Sequence, residues 1–169
     1  MKLHKKLPFL FQNKLPTKRW LMTKGINFWG PFLGAGIRVS HTTADLYSIT
    51  AELRPTRFNQ NIVGVHFGGS IYAMCDPFYM GILMHHLGDQ YIVWDKAAAI
   101  RFKKPGRGIL SATFSIPKEA IQDIRKRADL HGKTEEIFNA QVFDTDKNLI
   151  AEVEKTVWIR NKSMTKIKV

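Results

Sequence analysis

The chain has 169 residues, 44% of them hydrophobic, which is enough for one globular domain with a core and too few for two full domains. Its single cysteine, Cys75, excludes an intrachain disulfide and a zinc site built on several cysteines from one chain, and fits a reducing, cytoplasmic setting. The formal charge of +12 is concentrated at one end, because no acid precedes Asp45 while Lys2, Lys5, Lys6, Lys14, Lys18, Arg19, Lys24 and Arg38 all do.

Those N-terminal charges alternate with Phe9, Phe11, Trp20, Phe28, Trp29 and Phe32. Residues 1–34 therefore read as a basic amphipathic segment with a helix near 17–29. Such a segment suits a helix that packs its aromatics on the core and shows lysines to water, and equally a peripheral contact with anionic lipid or an acidic ligand. Nucleic acid is not expected, since no helix-turn-helix, zinc-finger or RNP-type motif is present. The apolar run 7–11 contains Pro8, stops at Gln12 and lacks a small-residue cleavage site, short of the roughly 7–15 apolar residues of a signal peptide.

From residue 35 to 161 the pattern is that of one α+β domain, followed by a basic tail over 162–169. Tyr47, Ile49, Ala51 and Leu53 share one face of a strand, with Ser48, Thr50, Glu52 and Arg54 on the other. The same period of two recurs at Ile37 and Val39, at Ala98, Ile100 and Phe102, and at Leu110, Ala112, Phe114 and Ile116. It returns at Phe138, Ala140 and Val142, and at Ala151, Val153, Val157 and Ile159, which makes about six strands. Short connections at 104–108 and 144–148 favour antiparallel neighbours. A charged helix is expected near 118–128. The stretch 69–87 leaves no polar face, so it predicts a helix wrapped by other structure. It also contains Asp76, Pro77, His85 and His86, which argue against a membrane span of about 20 apolar residues.

The chemistry-bearing stretch runs from Asn61 into that helix. Gly68 and Gly69 open the helix, where first-turn N–H groups lack intrahelical partners and can hold a developing oxyanion. Asp76 is the only acid between Glu52 and Asp89 and sits among apolar residues, where burial raises a carboxyl pKa and makes a better general base. Asp76-Pro77 is equally a helix N-cap followed by proline at the first helical position, so the helix is expected to break and restart there. His66 just ahead of the glycines reads as a substrate contact or a satisfied loop histidine. Cys75 reads as a buried small hydrophobe rather than a nucleophile. His85 and His86 are adjacent and lack the i, i+4 spacing of two ligands on one helix face, so no metal is expected. Arg101, Lys103, Lys104 and Arg107 cluster at a strand end, as a solvated rim or a phosphate-binding group.

This order, with Asn61, Gly68-Gly69, the apolar helix and Asp76, resembles the hotdog-fold thioesterases. It is most similar to a bacterial branch that carries His-Phe-Gly-Gly and Asp-Pro-Phe at this point. The resemblance covers roughly residues 36–159 and is sharpest over 61–78. It implies a curled antiparallel sheet of about six strands around a central apolar helix, with an extra N-terminal helix. By likeness to the phenylacetyl-coenzyme A type, it also implies that Asn61 places thioester or water, amides at Gly68 and Gly69 polarise the carbonyl, and Asp76 drives water attack. The substrate would be an acyl-CoA or other acyl thioester, with coenzyme A entering only as part of the substrate and no further cofactor. The assembly would be a homodimer or a tetramer. The usual His-Gly-Gly is here His66-Phe67-Gly68-Gly69, one residue longer. Two other readings stay open: an acyl- or lipid-binding protein without turnover, and a hydratase or dehydratase.

Overall fold

The computed structural model of the chain describes residues 23–166. The period-two stretches form strands β1 (Ile37–Thr42), β2 (Ser48–Leu53), β3 (Tyr91–Phe102), β4 (Leu110–Ser115), β5 (Lys133–Phe143) and β6 (Leu149–Asn161). They assemble into one curled sheet of order β1-β2-β4-β5-β6-β3, in which every neighbouring pair is antiparallel. The helices are α1 (Gly30–Ala35), α2 (Gly68–Cys75), α3 (Phe78–Leu87) and α4 (Lys118–His131). The domain is thus α+β, and none of its described helices is long and apolar enough to cross a membrane.

The apolar stretch is buried by the inner face of the sheet. Ile71, Met74, Phe78, Ile82 and Leu83 pack against Ile49, Ala51, Leu53, Phe114, Val153 and Val157. Each fully buried aliphatic side chain contributes about 1.5–3 kcal/mol, so a helix apolar on all sides is stable only inside such a wrap. The helix does break where the sequence predicts. Pro77 has no N–H to bond the Ala73 carbonyl, which instead accepts the Asp76 N–H at 3.4 Å. The chain restarts as α3 with Gly81 N–H donating to the Pro77 carbonyl at 2.9 Å.

Two sheet irregularities shape the interior. In β3, Asp95 opposes Val157 and Ala97 opposes Thr156, so Lys96 is an extra residue and forms a bulge. Strands β4 and β5 pair only at Ser111↔Phe143 and Ala112↔Val142. Beyond that point Tyr79 reaches between them, its hydroxyl donating to the Asn139 carbonyl at 2.6 Å and its ring stacked on Phe138.

Part of the helix expected near 17–29 lies outside the described residues. Within them, Gly25–Phe28 is a 3-10 turn and α1 follows it. Phe32 of α1 is buried against Phe78, whereas Phe28, Trp29 and Leu33 stay exposed. Gly36 ends α1 in the left-handed region at φ +73. A Cβ there would lie 2.7 Å from both the Arg54 carbonyl oxygen and Asn59 Nδ2. Asn59 is buried at this junction, donating to the Ala35 and Arg54 carbonyls and accepting the Thr56 N–H, so it ties α1 and the end of β2 to the loop leading into α2. Gly36→Ala should therefore lower stability by about 1–3 kcal/mol, read as a fall in the urea midpoint with an unchanged slope.

Candidate active site

The loop anchored by Asn59 closes in a turn built on Asn61. Its Oδ1 accepts the Val63 and Val65 N–H groups, and Gly64 takes φ +71 to complete the reversal. The amide oxygen of Asn61 is therefore engaged, and its Nδ2 is the group left for a ligand. His66 follows in a short bridge with Gln60 and is buried. Its Nε2 donates to the Gly108 carbonyl at 2.7 Å, while Nδ1 is buried without a partner among the described residues.

Helix α2 then begins at Gly68 with no side-chain cap, so the first-turn N–H groups of Gly68 and Gly69 have no intrahelical partner. The two glycines also make room for aromatic rings. A Cβ on Gly68 would meet Phe102 Cζ at 2.9 Å, and one on Gly69 would meet Phe67 Cε1 at 2.3 Å. The extra residue of the His-Phe-Gly-Gly sequence thus lays its half-exposed ring over Gly69. Asn61, His66, Gly68, Phe102, Lys103 and Lys104 line one open groove of about 420 Å³.

Asp76 lies at the other end of α2, outside that groove. Helix α2 is 8 residues long, which separates its ends by ~12 Å. The Asp76 carboxylate does not cap α3; its Oδ1 accepts Lys155 Nζ at 2.8 Å and the Tyr72 hydroxyl at 3.1 Å. Lys155 Nζ also donates to Asp95 Oδ2 at 2.8 Å. The side chain of Lys155 is 1% exposed, Asp95 21% and Asp76 47%, so a buried cation bridges one inner and one outer carboxylate. Burial pushes the Asp95 carboxyl above its ordinary value even though Lys155 opposes this. Burial alone would lower the Lys155 ammonium, but its hydrogen bonds to Asp76 and Asp95 and their charges outweigh this and hold it above its ordinary value. Burial of Asp76 itself, expected from its apolar neighbours, is only partial in the single chain.

Lys155 and Asp95 were not among the residues singled out from the sequence. Lys155 occupies an inward position of β6, in step with Ala151, Val153, Val157 and Ile159. A charged residue interrupting an otherwise apolar inward series was the signal. The basic set divides. Lys103 and Lys104 line the groove, with Lys103 paired to Glu152 at 2.8 Å and Lys104 donating to Asn148. Arg107 reaches the Gly64 carbonyl at 3.4 Å. Arg101 faces a different groove with Asn139, Gln141 and Glu152.

Residues 18–159 match the family model described as Domain of unknown function (DUF4442). The chain belongs to this family. No curated protein matches the sequence. Among solved structures, a Pseudomonas aeruginosa protein of unknown function, described as a probable thioesterase, is 17% identical with a TM-score of 0.73 over 90% of this chain and 99% of its own. A thioesterase from Haemophilus influenzae is 12% identical with a TM-score of 0.62, covering 95% of this chain and 98% of its own. A mutant of a thioesterase enzyme from Staphylococcus aureus is 13% identical with a TM-score of 0.55, covering 76% and 97% respectively. At these identities the likeness establishes a shared fold alone: this DUF4442 domain has a hotdog architecture, a curled antiparallel sheet around an apolar helix.

Within that architecture Cys75 is the last residue of α2 and fully buried. Burial pushes its thiol up to about 12, so it carries almost no thiolate near neutrality. The folded protein should resist alkylation by iodoacetamide at pH 8 and react fully once denatured. Rapid stoichiometric labelling of the folded protein would contradict this burial.

Proposed function

We propose that this chain hydrolyses acyl-CoA thioesters, with Asp76 as the base that activates water. The observation that carries the reading is the Asp76 carboxylate: both of its hydrogen bonds reach Oδ1, none from a described residue reaches Oδ2, and half of the side chain is open to solvent. An oxygen so placed accepts a proton from water as the water oxygen attacks the thioester carbonyl. The carbonyl oxygen takes the negative charge, facing the N–H groups of Gly68 and Gly69, which lack intrahelical partners, and one such donor is worth about 3–4 kcal/mol. Collapse of the tetrahedral adduct breaks the C–S bond, and the proton held by Asp76 leaves with the thiolate. The products are a carboxylic acid and free coenzyme A. The Nδ2 of Asn61 orients the carbonyl or the water. Lys103 and Lys104, on the rim of the same groove, and Arg107 beside its loop attract the nucleotide phosphates, with Arg101 more remote.

A carbonyl held at Gly68 is too far from the Asp76 of its own chain, at opposite ends of α2, for one water to join them. This favours a homodimer in which the groove of one protomer receives Asp76 of the partner subunit. Strand β3 supplies a seam for it, as an edge strand of 12 residues with exposed Lys96, Ala97, Ala98 and Ala99. A second reading, acyl or lipid binding without turnover, draws on the exposed Phe28, Trp29 and Leu33 beside the basic N-terminal segment.

The two readings separate on thiol release from a panel of acyl-CoAs of different length and polarity. Turnover is expected, and Asp76→Asn should reduce kcat by about 10²–10⁴-fold while the circular dichroism spectrum stays that of the parent. Acyl-CoA binding with no thiol release would leave the binding reading, and full activity in Asp76→Asn would remove this residue as the base.

A further inference from the structure

Lys155 has no part in the roles implied by the resemblance, and β6 places it at a position where the neighbours on its face are Val153 and Val157. A lysine is almost never buried unless its charge is matched. Here three elements converge on the ammonium: α2 with Tyr72, Cys75 and, at its end, Asp76; β3 with Asp95; and β6, which carries the lysine itself. Each of its three N–H groups has a destination, Asp76 Oδ1 at 2.8 Å, Asp95 Oδ2 at 2.8 Å and the Tyr72 hydroxyl at 3.4 Å. Tyr72 in turn donates to the same Asp76 oxygen, closing a small ring of hydrogen bonds.

The consequence is directional. Lys155 and Tyr72 both bind Oδ1 of Asp76, so the carboxylate is held by one oxygen, and no described residue bonds the other. Two carboxylates share one ammonium, and Asp95, with its Oδ1 buried and without a partner among the described residues, depends on that ammonium more heavily than the half-exposed Asp76 does. Cys75, the remaining titratable neighbour, stays a neutral thiol near pH 7 and leaves this charge balance unchanged.

We propose that Lys155 is a positioning residue for Asp76: its ammonium fixes which carboxylate oxygen faces the substrate, and Asp95 competes for the same ammonium. The proposal rests on the reading of Asp76 as the base. The competition gives it a sign that simple structural support does not have. Loss of the ammonium removes the charge that favours ionised Asp76 and must make Asp76 harder to ionise. Loss of the Asp95 charge frees the ammonium for Asp76 and must make it easier to ionise.

The test is a carbon-13 NMR titration of the Asp76 side-chain carboxyl in the full chain, for wild type, Lys155→Met, Lys155→Arg and Asp95→Asn, alongside the pH dependence of kcat/KM for acyl-CoA. The Asp76 midpoint should rise in Lys155→Met, fall in Asp95→Asn, and stay nearer wild type in Lys155→Arg. The acid limb of kcat/KM should move in the same directions. If Lys155→Met does not fold, Asp95→Asn decides by its sign alone. Midpoints that do not move, or that move the same way in Lys155→Met and Asp95→Asn, overturn the proposal. Opposite shifts in a protein that releases no thiol would uphold the role of Lys155 and overturn the hydrolase reading instead.

Discussion

An ammonium group inside the sheet, with a carboxylate on either side, is the constraint around which the rest of this domain is arranged. Burying an ion costs several kcal/mol, and two charge-assisted hydrogen bonds of about 1.5–3 kcal/mol each offset that only if both carboxylates are held in place. Each stands beside an irregularity. Asp76 is delivered by the helix break at Pro77, which ends α2 and leaves the Asp76 side chain directed at Lys155 rather than at the amides of α3. Asp95 sits immediately before the bulge at Lys96, where the register of β3 shifts against β6. Asp76 keeps helical dihedrals four residues after Tyr72, and the break that follows leaves its carboxylate clear of the amides of α3, so each carboxylate stands next to a departure from regular geometry.

The same geometry divides the chemistry into two halves. One end of α2 offers uncapped N–H groups, a turn built on Asn61 and a rim of lysines; the other offers an acid with one oxygen that no described residue bonds. Each half is well supported by its own surroundings. Asn59 and Gly36 anchor the first through the end of β2, and Lys155 anchors the second through β6. The proposed hydrolysis needs both halves, so the proposed activity and the proposed dimer stand or fall together. The exposed rings of Phe67 and Phe102 and the small side chains of β3 fit the apolar surroundings that such a shared site needs.

Much of this was legible in the sequence, for physical reasons. Alternation along a strand reflects a sheet with one wet face, so the strand positions around Ile49, Ala112, Ala140 and Val153 were read correctly. A helix with no polar face has to be wrapped, and Pro77 inside it has to break it. What stayed hidden was whatever violates the pattern. Lys155 was passed over because lysine is ordinarily a surface residue, although its inward register was already fixed by Val153 and Val157. The first half of β3, with Tyr91, Val93 and Asp95, was missed because the bulge resets the alternation that Ala98, Ile100 and Phe102 obey. Arg101 was grouped with Lys103 and Lys104 by proximity in sequence, yet it lies within β3 and faces a groove with Asn139 and Gln141 of β5, whereas Lys103 and Lys104 follow the end of the strand and line the groove at Asn61.

The most direct measurement is subunit mixing. Asp76→Asn and Asn61→Ala proteins, each expected to be strongly impaired alone, would be denatured together in equal amounts, refolded and assayed for acyl-CoA hydrolysis. If each site takes Asn61 from one protomer and Asp76 from the other, half of the dimers are mixed and each mixed dimer regains one intact site, so activity returns to about a quarter of the wild-type level. Refolded mixtures that form mixed dimers yet remain as inactive as the two parents would contradict the shared site.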